Sequence, residues 1–424
     1  MTSLSQQFTC HDAYDPNALP VALGRQLILD AVAPIEGVEH LPLREALGRV
    51  LAEAVVSPID VPAHDNSAMD GYGLRGADLH NDSPTTLQVI GSAYAGRPFP
   101  RAVGPGEAVR IMTGAPLPAG VDTVVMQEIV ASLDDQVTIP AGQHTGQNVR
   151  KAGEDLRAGV PALAAGKLLR PAELGLIASL GISEVSVRRR LRVAIFSTGD
   201  ELVPLGTIAR EGEIFDSNRY TLFGMLTRLG VEVIDLGVVR DDPLALEGCF
   251  REAASIADVV ITSGGVSVGE ADFTRSMMDK LGEVLFWKIA MKPGRPMAFG
   301  RIGAGGDAAW LFGLPGNPVA VMVTFYQFAR PALLRLAGVE TPGEAPELRA
   351  LCTVSIRKGR GRTEFLRGVL YAEDGEWKVR TTGAQGSGIL RSMTDANCFI
   401  VLGPEQGDVA AGDDVTVQIL DGLV

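Results

Sequence analysis

Histidine and cysteine are both scarce in this sequence, and their positions limit its chemistry. Of the 424 residues only five are histidine, all within the first 144 positions: His11, His40, His64, His80 and His144. The four cysteines stand singly, at Cys10, Cys249, Cys352 and Cys398. No Cys/His cluster has the ligand spacing of a zinc site, and there is no C-x-x-C pair. Isolated cysteines are typical of a reducing compartment, so we predict a cytoplasmic protein.

Long apolar runs and a surplus of basic residues are also missing. No apolar stretch approaches the roughly 18 residues that span a bilayer. The first ten residues have no basic segment followed by an apolar one, so we predict neither a membrane span nor a secretory signal. Lysine and arginine number 38 against 51 aspartate and glutamate, a net charge of −13. This balance disfavours general nucleic-acid binding but is compatible with a local basic pocket.

The sequence Gly265-Val266-Ser267-Val268-Gly269 matches the G-x-S-x-G pattern of serine hydrolases. In α/β-hydrolases that mechanism requires a histidine that follows the serine in the chain. No histidine lies beyond His144. Ser267 is therefore interpreted as a loop residue, with a nucleophilic serine as the weaker alternative.

Glycine is abundant, with 50 residues grouped in short motifs between apolar runs. From Leu191 onward these motifs separate alternating strands and helices. We predict strands at 192–197, 231–239, 258–262, 284–289 and 310–312. We predict helices after Asp216 or Ser217 with Gly230 as the stop, at Pro243–Ile256, at 270–281, and from Asn317 as cap to Ala337. This alternation predicts a multidomain α/β protein with a doubly wound, mostly parallel sheet.

The rest of the chain predicts smaller units. Helical patterns occur at 20–37, 42–50 and Pro171–Ser179, and 56–82 is predicted to be a long functional loop. Short apolar runs between Gly/Pro turns predict a β domain at 86–153 and a β-barrel or sandwich at 351–424. We expect a helical segment at 1–38 packing on the α/β domain, a linker domain from 39–58 and 151–190, an inserted β domain at 59–150, the α/β domain at 191–340 and a C-terminal β domain at 341–424.

Polar side chains stand at the end of each predicted strand of the α/β sheet, where such sheets bind ligands. The ends supply Glu201, Asp241, the run 263–272, Lys288 with Lys292, and the loop 313–318, which begins a helix suited to an anion. Any one of these charges is more simply an ordinary surface charge, but five consecutive strand ends favour a site. Acids and lysines on glycine-rich loops indicate Mg²⁺ bridging carboxylates and phosphates.

The segment Asp65-Asn66-Ser67-Ala68-Met69-Asp70-Gly71-Tyr72 concentrates two acids, an amide and a hydroxyl in the predicted loop. Such side chains often bond to their own backbone, so a self-capped turn explains the segment as well as a functional site does. From the residues alone both interpretations stay open.

Six motifs in a fixed order resemble the MoeA family, which includes the E domain of gephyrin. They are Asp65 to Tyr72 (DNSAMDGY), Arg110 to Ala115 (RIMTGA), Thr198 to Leu202 (TGDEL), Ser263 to Asp272 (SGGVSVGEAD), Lys292 to Pro296 (KPGRP) and Gly313 to Val319 (GLPGNPV). The resemblance covers nearly the whole chain. It implies an elongated subunit with a molybdopterin-binding type of α/β domain and a barrel-like C-terminal domain. It also implies a homodimer, with the linker domain taking part in dimerisation.

The resemblance implies the activity of a molybdopterin molybdenumtransferase. Such an enzyme takes adenylylated molybdopterin and molybdate, hydrolyses the pyrophosphate link with Mg²⁺, releases AMP and leaves molybdenum on the pterin dithiolene. A pterin adenylyltransferase would be a further partner. The site would lie between the α/β domain of one subunit and the DNSAMDGY-bearing domain of the other, with a contribution from the C-terminal domain.

Roles follow by motif as implications of the resemblance. The implied catalytic residues are Asp70, Thr113, Glu201, Asp241, Asp272, Lys288 and Lys292. Glu201, Asp241 and Asp272 would hold Mg²⁺, and Asp70 from the partner would complete the acidic set. The two lysines would balance the anionic charge that grows during phosphoryl transfer.

The implied substrate-binding residues are Ser263, Gly264, Gly265, Ser267, Gly269, Pro293, Gly313, Pro315, Gly316, Asn317, Arg367 and Ser387. Arg367, Ser387 and the loop 313–318 would receive molybdate, for which the bidentate fork of arginine is suited. Two positions depart from common relatives: Ala320 stands where a serine is frequent, and Arg295 where a lysine is frequent.

Two other functions compete with this interpretation. The gephyrin relative also clusters receptors through this fold, so a scaffold is one alternative. The other is a different enzyme with a related α/β domain, such as a pterin adenylyltransferase or a nucleotide amidohydrolase. The DNSAMDGY segment and the C-terminal β domain argue against both enzymes, and acids at the strand ends favour catalysis over a scaffold.

Overall fold

The computed structural model of the protein describes residues 18–264, 280–303, 308–340 and 345–420. Four of the expected site residues, Gly265, Ser267, Gly269 and Asp272, lie outside these ranges, as does nearly all of the helix predicted at 270–281. No helix in the described ranges is long and apolar enough to cross a membrane.

The central α/β sheet contains seven of the described strands. They are β1 (Ala18–Leu19), β14 (Arg192–Thr198), β17 (Glu232–Val239), β18 (Val259–Ser263), β19 (Gly282–Ile289), β21 (Pro296–Ile302) and β22 (Ala309–Leu314). Their order is β1-β19-β21-β22-β18-β14-β17. All neighbours are parallel except β21, which is antiparallel to both β19 and β22. The predicted mostly parallel sheet is confirmed; β21, which directly follows the KPGRP turn, was not predicted.

Helices cover both faces of this sheet. They are α1 (Val21–Ala31), α3 (Ser217–Arg228), α4 (Pro243–Ile256), α5 (Pro318–Thr324) and α6 (Arg330–Leu336). Successive residues of β14 point to opposite faces, as strand geometry requires. Ile195 lies in the core cluster that contains Leu222 of α3, whereas Phe196 packs edge-to-face on Phe250 of α4 with ring centroids 5.0 Å apart. The sheet is therefore doubly wound.

The ends of α3 and α4 follow from their sequences. The side chain of Asp216 accepts the N–H of Arg219, and that of Asp242 accepts the N–H of Ala245. Gly230, at φ +76°, stops α3 in the left-handed region that glycine adopts without strain. The predicted cap and stop of α3 and the predicted bounds of α4 are confirmed.

The helix predicted from Asn317 to Ala337 is interrupted. A π-helical turn at Phe325–Ala329 separates α5 from α6. Pro331 has no N–H to donate to the carbonyl of Gln327 one turn earlier, which loosens the helix at this point. The Nε of Arg25 in α1 donates to that carbonyl instead, at 3.2 Å.

Three predictions for the first part of the chain are wrong in their bounds. The helix expected to reach Gly37 ends at Ala31, because the residues that precede Pro34 turn extended. The helix expected at 42–50 is reduced to a short 3₁₀ turn at Leu43–Ala46, which follows the strand β2 (Val38–Pro42). The loop expected at 56–82 contains the buried strand β5 (Gly71–Leu74), which shows no alternation because all four of its residues are buried.

The strand β5 belongs to a six-stranded sheet of the order β8-β5-β7-β6-β10-β9. The other strands are β6 (Thr85–Ala93), β7 (Glu107–Ile111), β8 (Thr123–Met126), β9 (Ala131–Leu133) and β10 (Gln136–Ile139). A side chain at Gly71 would collide with the backbone oxygen of Val125 at 2.0 Å, so glycine allows the close approach of β5 and β8.

Short strand pairs join this sheet to the α/β sheet. The strands are β3 (Val55–Val56), β4 (Asn66–Ser67), β11 (Val149–Arg150), β12 (Pro161–Leu163) and β13 (Glu184–Arg188). β2 pairs with β13, β3 with β12 and β4 with β11. The helix α2 (Pro171–Ser179), predicted with these bounds, contributes Ile177 to the small core between them. The domain bounds drawn from the sequence stay a prediction.

The C-terminal strands close into a barrel. They are β23 (Glu347–Cys352), β24 (Thr363–Glu373), β25 (Glu376–Thr381), β26 (Cys398–Leu402) and β27 (Asp414–Ile419). The order β24-β25-β23-β27-β26 is closed by direct pairing of β24 with β26. The single helix here among the described residues is the short α7 (Arg391–Thr394). The predicted barrel-like domain is confirmed.

One further strand joins the barrel to the α/β sheet. β20 (Met291–Lys292) follows directly on β19 of the α/β sheet, yet it pairs in parallel with β24 of the barrel. A remaining small pair, β15 (Leu202–Val203) with β16 (Ile214–Phe215), forms a loop beside the end of β14. Both junctions flank the carboxyl edge of the α/β sheet.

Candidate active site

A cleft of about 460 Å³ lies between the carboxyl edge of the α/β sheet and the barrel. Its volume is within the range of small-molecule sites, about 300–1,000 Å³. Loops that follow β14, β17, β18, β19 and β22 form one wall, and two barrel segments, at Arg362 and at 385–387, form the other. The cleft is thus at the position where open α/β sheets bind ligands.

Acidic side chains enter the cleft from two adjacent strand ends. Glu201 follows β14 and Asp241 follows β17, and both line the cleft. The N–H of Asp241 donates to the carboxylate of Asp200 at 3.3 Å, which ties the two loops together. The third expected acid, Asp272, lies outside the described residues. Among the residues that are described, no three His, Cys, Asp or Glu side chains are close enough to hold a metal ion.

Cations line the other part of the cleft. Lys292 and Arg295 come from the turn after β19, and Arg362 comes from the segment that leads into β24. Arg362 makes no hydrogen bond or ion pair with any residue in the described ranges. Lys288 is exposed but does not line the cleft; it lies within β19, opposite Pro296 of β21.

Two glycines bring backbone to the cleft surface. Gly264, at the end of β18, has φ +94°, and a side chain there would meet the backbone oxygen of Thr198 at 2.7 Å. Gly294, at φ +95°, faces the hydroxyl of Thr324, which a side chain would meet at 2.5 Å. Only glycine fits both the torsion and the space at these positions, so the backbone itself can contact a ligand. Pro293 lines the cleft beside Gly294.

The part of the motif 313–318 that follows β22 lines the cleft. Pro315, Gly316, Asn317 and Ala320 line it, whereas Gly313 lies inside β22 and does not. Asn218 of α3 fixes the loop by donating to the backbone oxygen of Gly316 at 2.7 Å. Asn317 occupies the predicted cap position of α5, but its side chain makes no capping hydrogen bond.

The barrel loop 385–387 occupies part of the N-terminus of α5. The N–H of Val319 donates to the backbone oxygen of Ser387 at 3.1 Å. One of the free N–H groups expected for an anion is therefore used to dock the barrel. Ser387, Gly386 and Gln385 line the cleft at this point.

Arg367 stands behind this loop and does not line the cleft. It is fully buried, and it donates from Nη2 to the backbone oxygen of Gly386 at 3.0 Å and from Nε to Ser392 Oγ at 3.0 Å. Burial lowers the pKa of Arg367 to about 10. Its Nη1 is buried and has no hydrogen-bond partner among the described residues.

Ser263, another expected binding residue, is also held below the surface. Its hydroxyl is buried and lies 3.0 Å from that of Ser197 on β14. The pair therefore joins two adjacent strands of the sheet.

Asp70 and Thr113 lie together in the six-stranded sheet domain, away from the cleft. The backbone N–H and the hydroxyl of Thr113 both donate to Asp70 Oδ1 at 2.7 Å. These hydrogen bonds hold the pKa of Asp70 below its usual value, so the carboxylate stays charged. Neither residue lines the cleft of its own chain.

The other acid of the DNSAMDGY segment has a structural role. Asp65 accepts from Lys151 Nζ and from the N–H of Ala152, both at 2.8 Å. The hydrogen bond from Lys151, followed by that from Ala152, lowers the pKa of Asp65. Ser67 bonds to the backbone oxygen of Met69. The self-capped turn thus describes only Ser67, whereas Asp65 bonds to the distant segment at Lys151 and Asp70 bonds to Thr113.

Several lining residues are not among the predicted site residues, and Arg362 and Gln385 are the ones with polar side chains from the barrel. Arg362 ends a basic run, Arg357-Lys358-Gly359-Arg360-Gly361-Arg362, which stands out in a chain of net charge −13 and could have been noticed. Gln385 has no such signal. Its side chain accepts the N–H of Arg367 at 2.8 Å, a contact that depends on the barrel fold.

Three family models match the chain in succession. They describe the MoeA N-terminal region (domain I and II) over residues 19–181, a probable molybdopterin binding domain over 194–335 and the MoeA C-terminal region (domain IV) over 349–420. The last two cover the strand-end loops and the barrel loops that line the cleft.

Individual relatives extend over nearly the full chain. A molybdopterin molybdenumtransferase of Haemophilus influenzae is 46% identical over 388 residues, which cover 91% of this chain and 95% of the relative. One of Nostoc sp. is 37% identical over 384 residues, covering 89% and 88%. The crystal structure of a molybdopterin biosynthesis moeA protein from Pyrococcus horikoshii OT3 superposes with a TM-score of 0.81 at 30% identity, covering 95% of this chain and 100% of that chain.

Proposed function

The chain belongs to the MoeA family, and from that premise we propose that it is a molybdopterin molybdenumtransferase, a transferase of molybdenum cofactor biosynthesis. The observation that supports this most directly is the cleft, where Glu201 and Asp241 stand on one side and Lys292, Arg295 and Arg362 on the other. A pyrophosphate and an oxyanion both require cationic side chains, and carboxylates in the same site can hold the Mg²⁺ that binds phosphates.

The substrates of this proposal are adenylylated molybdopterin and molybdate. Water hydrolyses the pyrophosphate link, which releases AMP and leaves a phosphate monoester on the pterin, and the molybdenum of molybdate is bound by the pterin dithiolene. Glu201 and Asp241 fit Mg²⁺, because carboxylate oxygens on adjacent loops are the ligands that this ion takes together with phosphates. Asp272 is proposed as a third ligand. When bound, Mg²⁺ would neutralise phosphate charge; the chain's own groups orient the link beside it.

The cations act on the charge that develops as the link breaks. Lys292 and Arg362 lie on the cleft surface and can approach phosphate or molybdate oxygens. A fixed positive charge at a site of growing negative charge stabilises the transition state more than the ground state. Lys288, at the end of β19, is proposed to add to the same field from outside the cleft wall.

Molybdate is proposed to bind where the barrel meets the N-terminus of α5. Ser387 and the segment 315–317 supply a hydroxyl and backbone groups. Arg367 is proposed to act from behind this surface, by fixing the loop that carries Ser387. Ser263, Gly264, Gly265, Ser267, Gly269, Pro293 and Gly313 are proposed to shape the loops around the pterin and its phosphates.

A second subunit is proposed to complete the site with Asp70 and Thr113. Within one chain this pair lies outside the cleft, although hydrogen bonds hold its carboxylate charged. An exposed apolar surface flanks the Glu201 side of the cleft: Leu205, Ile208, Ile214, Phe215, Tyr220 and Phe223. Exposed apolar side chains grouped on neighbouring elements commonly mark an interface. We therefore propose a homodimer that works in the cytoplasm and receives its substrate from a pterin adenylyltransferase.

The test is AMP release from adenylylated molybdopterin in the presence of Mg²⁺, with and without molybdate. We expect release that depends on molybdate and is accompanied by molybdenum bound to the pterin. Release without molybdate dependence would indicate a hydrolase of the pyrophosphate link rather than a molybdenumtransferase. No release by correctly folded protein would leave the scaffold as the better explanation.

A further inference from the structure

We propose that Glu364 is a positioning residue that holds Lys292 in the cleft and makes the cationic side of the site depend on docking of the barrel. This rests on the proposed function only in the role that it gives to Lys292. Glu364 itself does not line the cleft and so acts through the lysine.

The backbone places the two residues side by side. β20, which carries Lys292, pairs in parallel with the start of β24, so that Met291 is opposite Thr363 and Lys292 opposite Glu364. The N–H of Thr363 also donates to the backbone oxygen of Ala290 at 2.9 Å. The two-residue strand β20, which follows the α/β sheet strand β19, is thus part of the barrel sheet and carries Lys292. Any shift of the barrel would move Glu364 relative to Lys292.

The side chains of Lys292 and Glu364 form an ion pair in which the carboxylate is buried and the ammonium is exposed. Lys292 Nζ lies 3.5 Å from Glu364 Oε2, and the side chain of Lys292 is 54% exposed while that of Glu364 is 6% exposed. A buried carboxylate is costly unless it is paired, so Glu364 requires its cation. The long distance and the exposure leave the ammonium able to turn towards an anion in the cleft.

A second lysine, Lys358, is also influenced by the charge of Glu364. Lys358 donates from Nζ to the backbone oxygens of Gly359 at 3.0 Å and Gln406 at 2.9 Å, so it is committed to the barrel. Burial lowers the pKa of Lys358, and the charge of Glu364 opposes that shift. Arg362 and Lys292 act on Lys358 in the lowering direction. Glu364 therefore balances several cations that repel one another.

Removal of the carboxylate would have two consequences for the cleft. Lys292 would lose the contact that restricts its side chain, and repulsion from Lys358 and Arg362 would drive the ammonium away from them. The lysine would then spend less time where an oxyanion or phosphate needs it. The loss of activity on removal of Glu364 should occur only when Lys292 is present. A general loss of stability would lower activity with or without Lys292.

The experiment is a double-mutant cycle of Glu364→Gln and Lys292→Ala. AMP release is followed under single-turnover conditions with adenylylated molybdopterin, molybdate and Mg²⁺, so that slow variants can be compared. We expect Glu364→Gln to lower kcat/KM by about tenfold or more in the parent protein, but by less than about threefold in the Lys292→Ala background, because residues that act as a pair are not additive.

The matched control is Glu373→Gln on the same strand. Glu373 forms an ion pair with Lys378 at 2.8 Å on the exposed side of the barrel, away from the cleft. We expect this substitution to leave kcat/KM unchanged within about twofold, since exposed pairs contribute little. A loss equal to that of Glu364→Gln would point to barrel stability rather than to Lys292.

A second variant keeps the test valid if Glu364→Gln does not fold. Glu364→Asp retains the buried charge but shortens the side chain, and we expect a smaller loss of kcat/KM with the same dependence on Lys292. Equal losses in both backgrounds would overturn the proposal. If the parent protein released no AMP in response to molybdate, the proposed function would fail instead, and the two failures are therefore distinguishable.

Discussion

The acidic side of the cleft comes from one domain, whereas its cationic side is shared between two. Glu201 and Asp241 end neighbouring strands of the α/β sheet, and the sheet alone brings them together. Lys292 belongs to the α/β chain but is paired with a barrel strand, and Arg362 belongs to the barrel. Binding of the proposed metal ion and binding of anions should therefore respond differently to changes at the domain junction. The acidic side should tolerate a displaced barrel better than the cationic side.

The largest expected effect tests the acidic side. We expect Asp241→Ala to lower the rate of AMP release by about 100- to 1,000-fold, the usual loss when one group of a charge-stabilising site is removed. The measurement is single-turnover AMP release across a titration of Mg²⁺. Excess Mg²⁺ should recover part of the rate if Asp241 is a metal ligand. An unchanged rate at low Mg²⁺ would refute the assignment.

The neighbouring residue provides the control for that experiment. Asp242 caps α4 by accepting the N–H of Ala245 at 2.9 Å and does not line the cleft. Asp242→Ala should destabilise the protein by about 1 kcal/mol, the usual contribution of an N-cap, while the rate falls little. Denaturant unfolding and the AMP assay together separate the two roles. A rate as low as that of Asp241→Ala would show that the loop conformation matters more than the carboxylate.

The second effect tests the cationic side. We expect Lys292→Ala to lower kcat/KM by about 10- to 100-fold and Lys288→Ala by less, since one loses a charge on the cleft surface and the other a charge outside it. Steady-state kinetics with each substrate varied in turn measures both. If Lys288→Ala had the larger effect, Lys288 would contact the substrate in a conformation other than the one described.

The third effect extends the comparison to the partner subunit. Asp70→Ala and Asp241→Ala should each be nearly inactive alone. After subunit exchange in a mixture, about a quarter of the parent activity should return, because half of the dimers are then mixed and each has one intact site. The measurement is AMP release before and after exchange, with dimers counted by native mass spectrometry. No recovery despite exchange would place both residues in the same chain's site.

The smallest effect concerns the molybdate end. Ala320 lines the cleft on the first turn of α5 and is nearly fully buried. We expect Ala320→Ser to lower the KM for molybdate by about two- to tenfold, the gain from one added hydrogen bond to an anion. Ala332→Ser, buried on α6 away from the cleft, is the control and should alter stability only. An unchanged KM for molybdate would remove position 320 from the anion site.

Much of the α/β domain was predictable, because the residues that begin and end its helices and strands lie within or next to those elements. Asp216, Asp242 and Gly230 set helix ends within a few residues of themselves, and apolar runs identify buried strands. The strand β21 is not evident from the sequence, because it begins at Pro296 and contains Gly300, which both weaken a strand pattern. The strand β5 is not evident from the sequence, because burial of both its faces removes the alternation that reveals strands.

The sequence predicted the strand-end residues of the candidate site but not all of its barrel residues. Glu201, Asp241, Lys292 and the segment 315–317 follow from the rule that ligands bind at strand ends, and all of them line the cleft. Arg367 and Ser387 came from the motif resemblance. The structure separates them, with Ser387 on the cleft surface and Arg367 behind it. Strand periodicity says nothing about which barrel loop faces a neighbouring domain, so Arg362 and Gln385 were missed.

Local sequence is sufficient to predict the elements of the α/β sheet, the acids at its strand ends and the ordered motifs of the family, because each of these depends on residues close together in the chain. The tertiary structure decided the rest of the cleft. Lys292 and Glu364 are 72 positions apart, and the N–H of Val319 meets the backbone oxygen of Ser387 only when the barrel docks. Contacts between distant segments depend on how domains pack, and local patterns of polarity do not predict that packing.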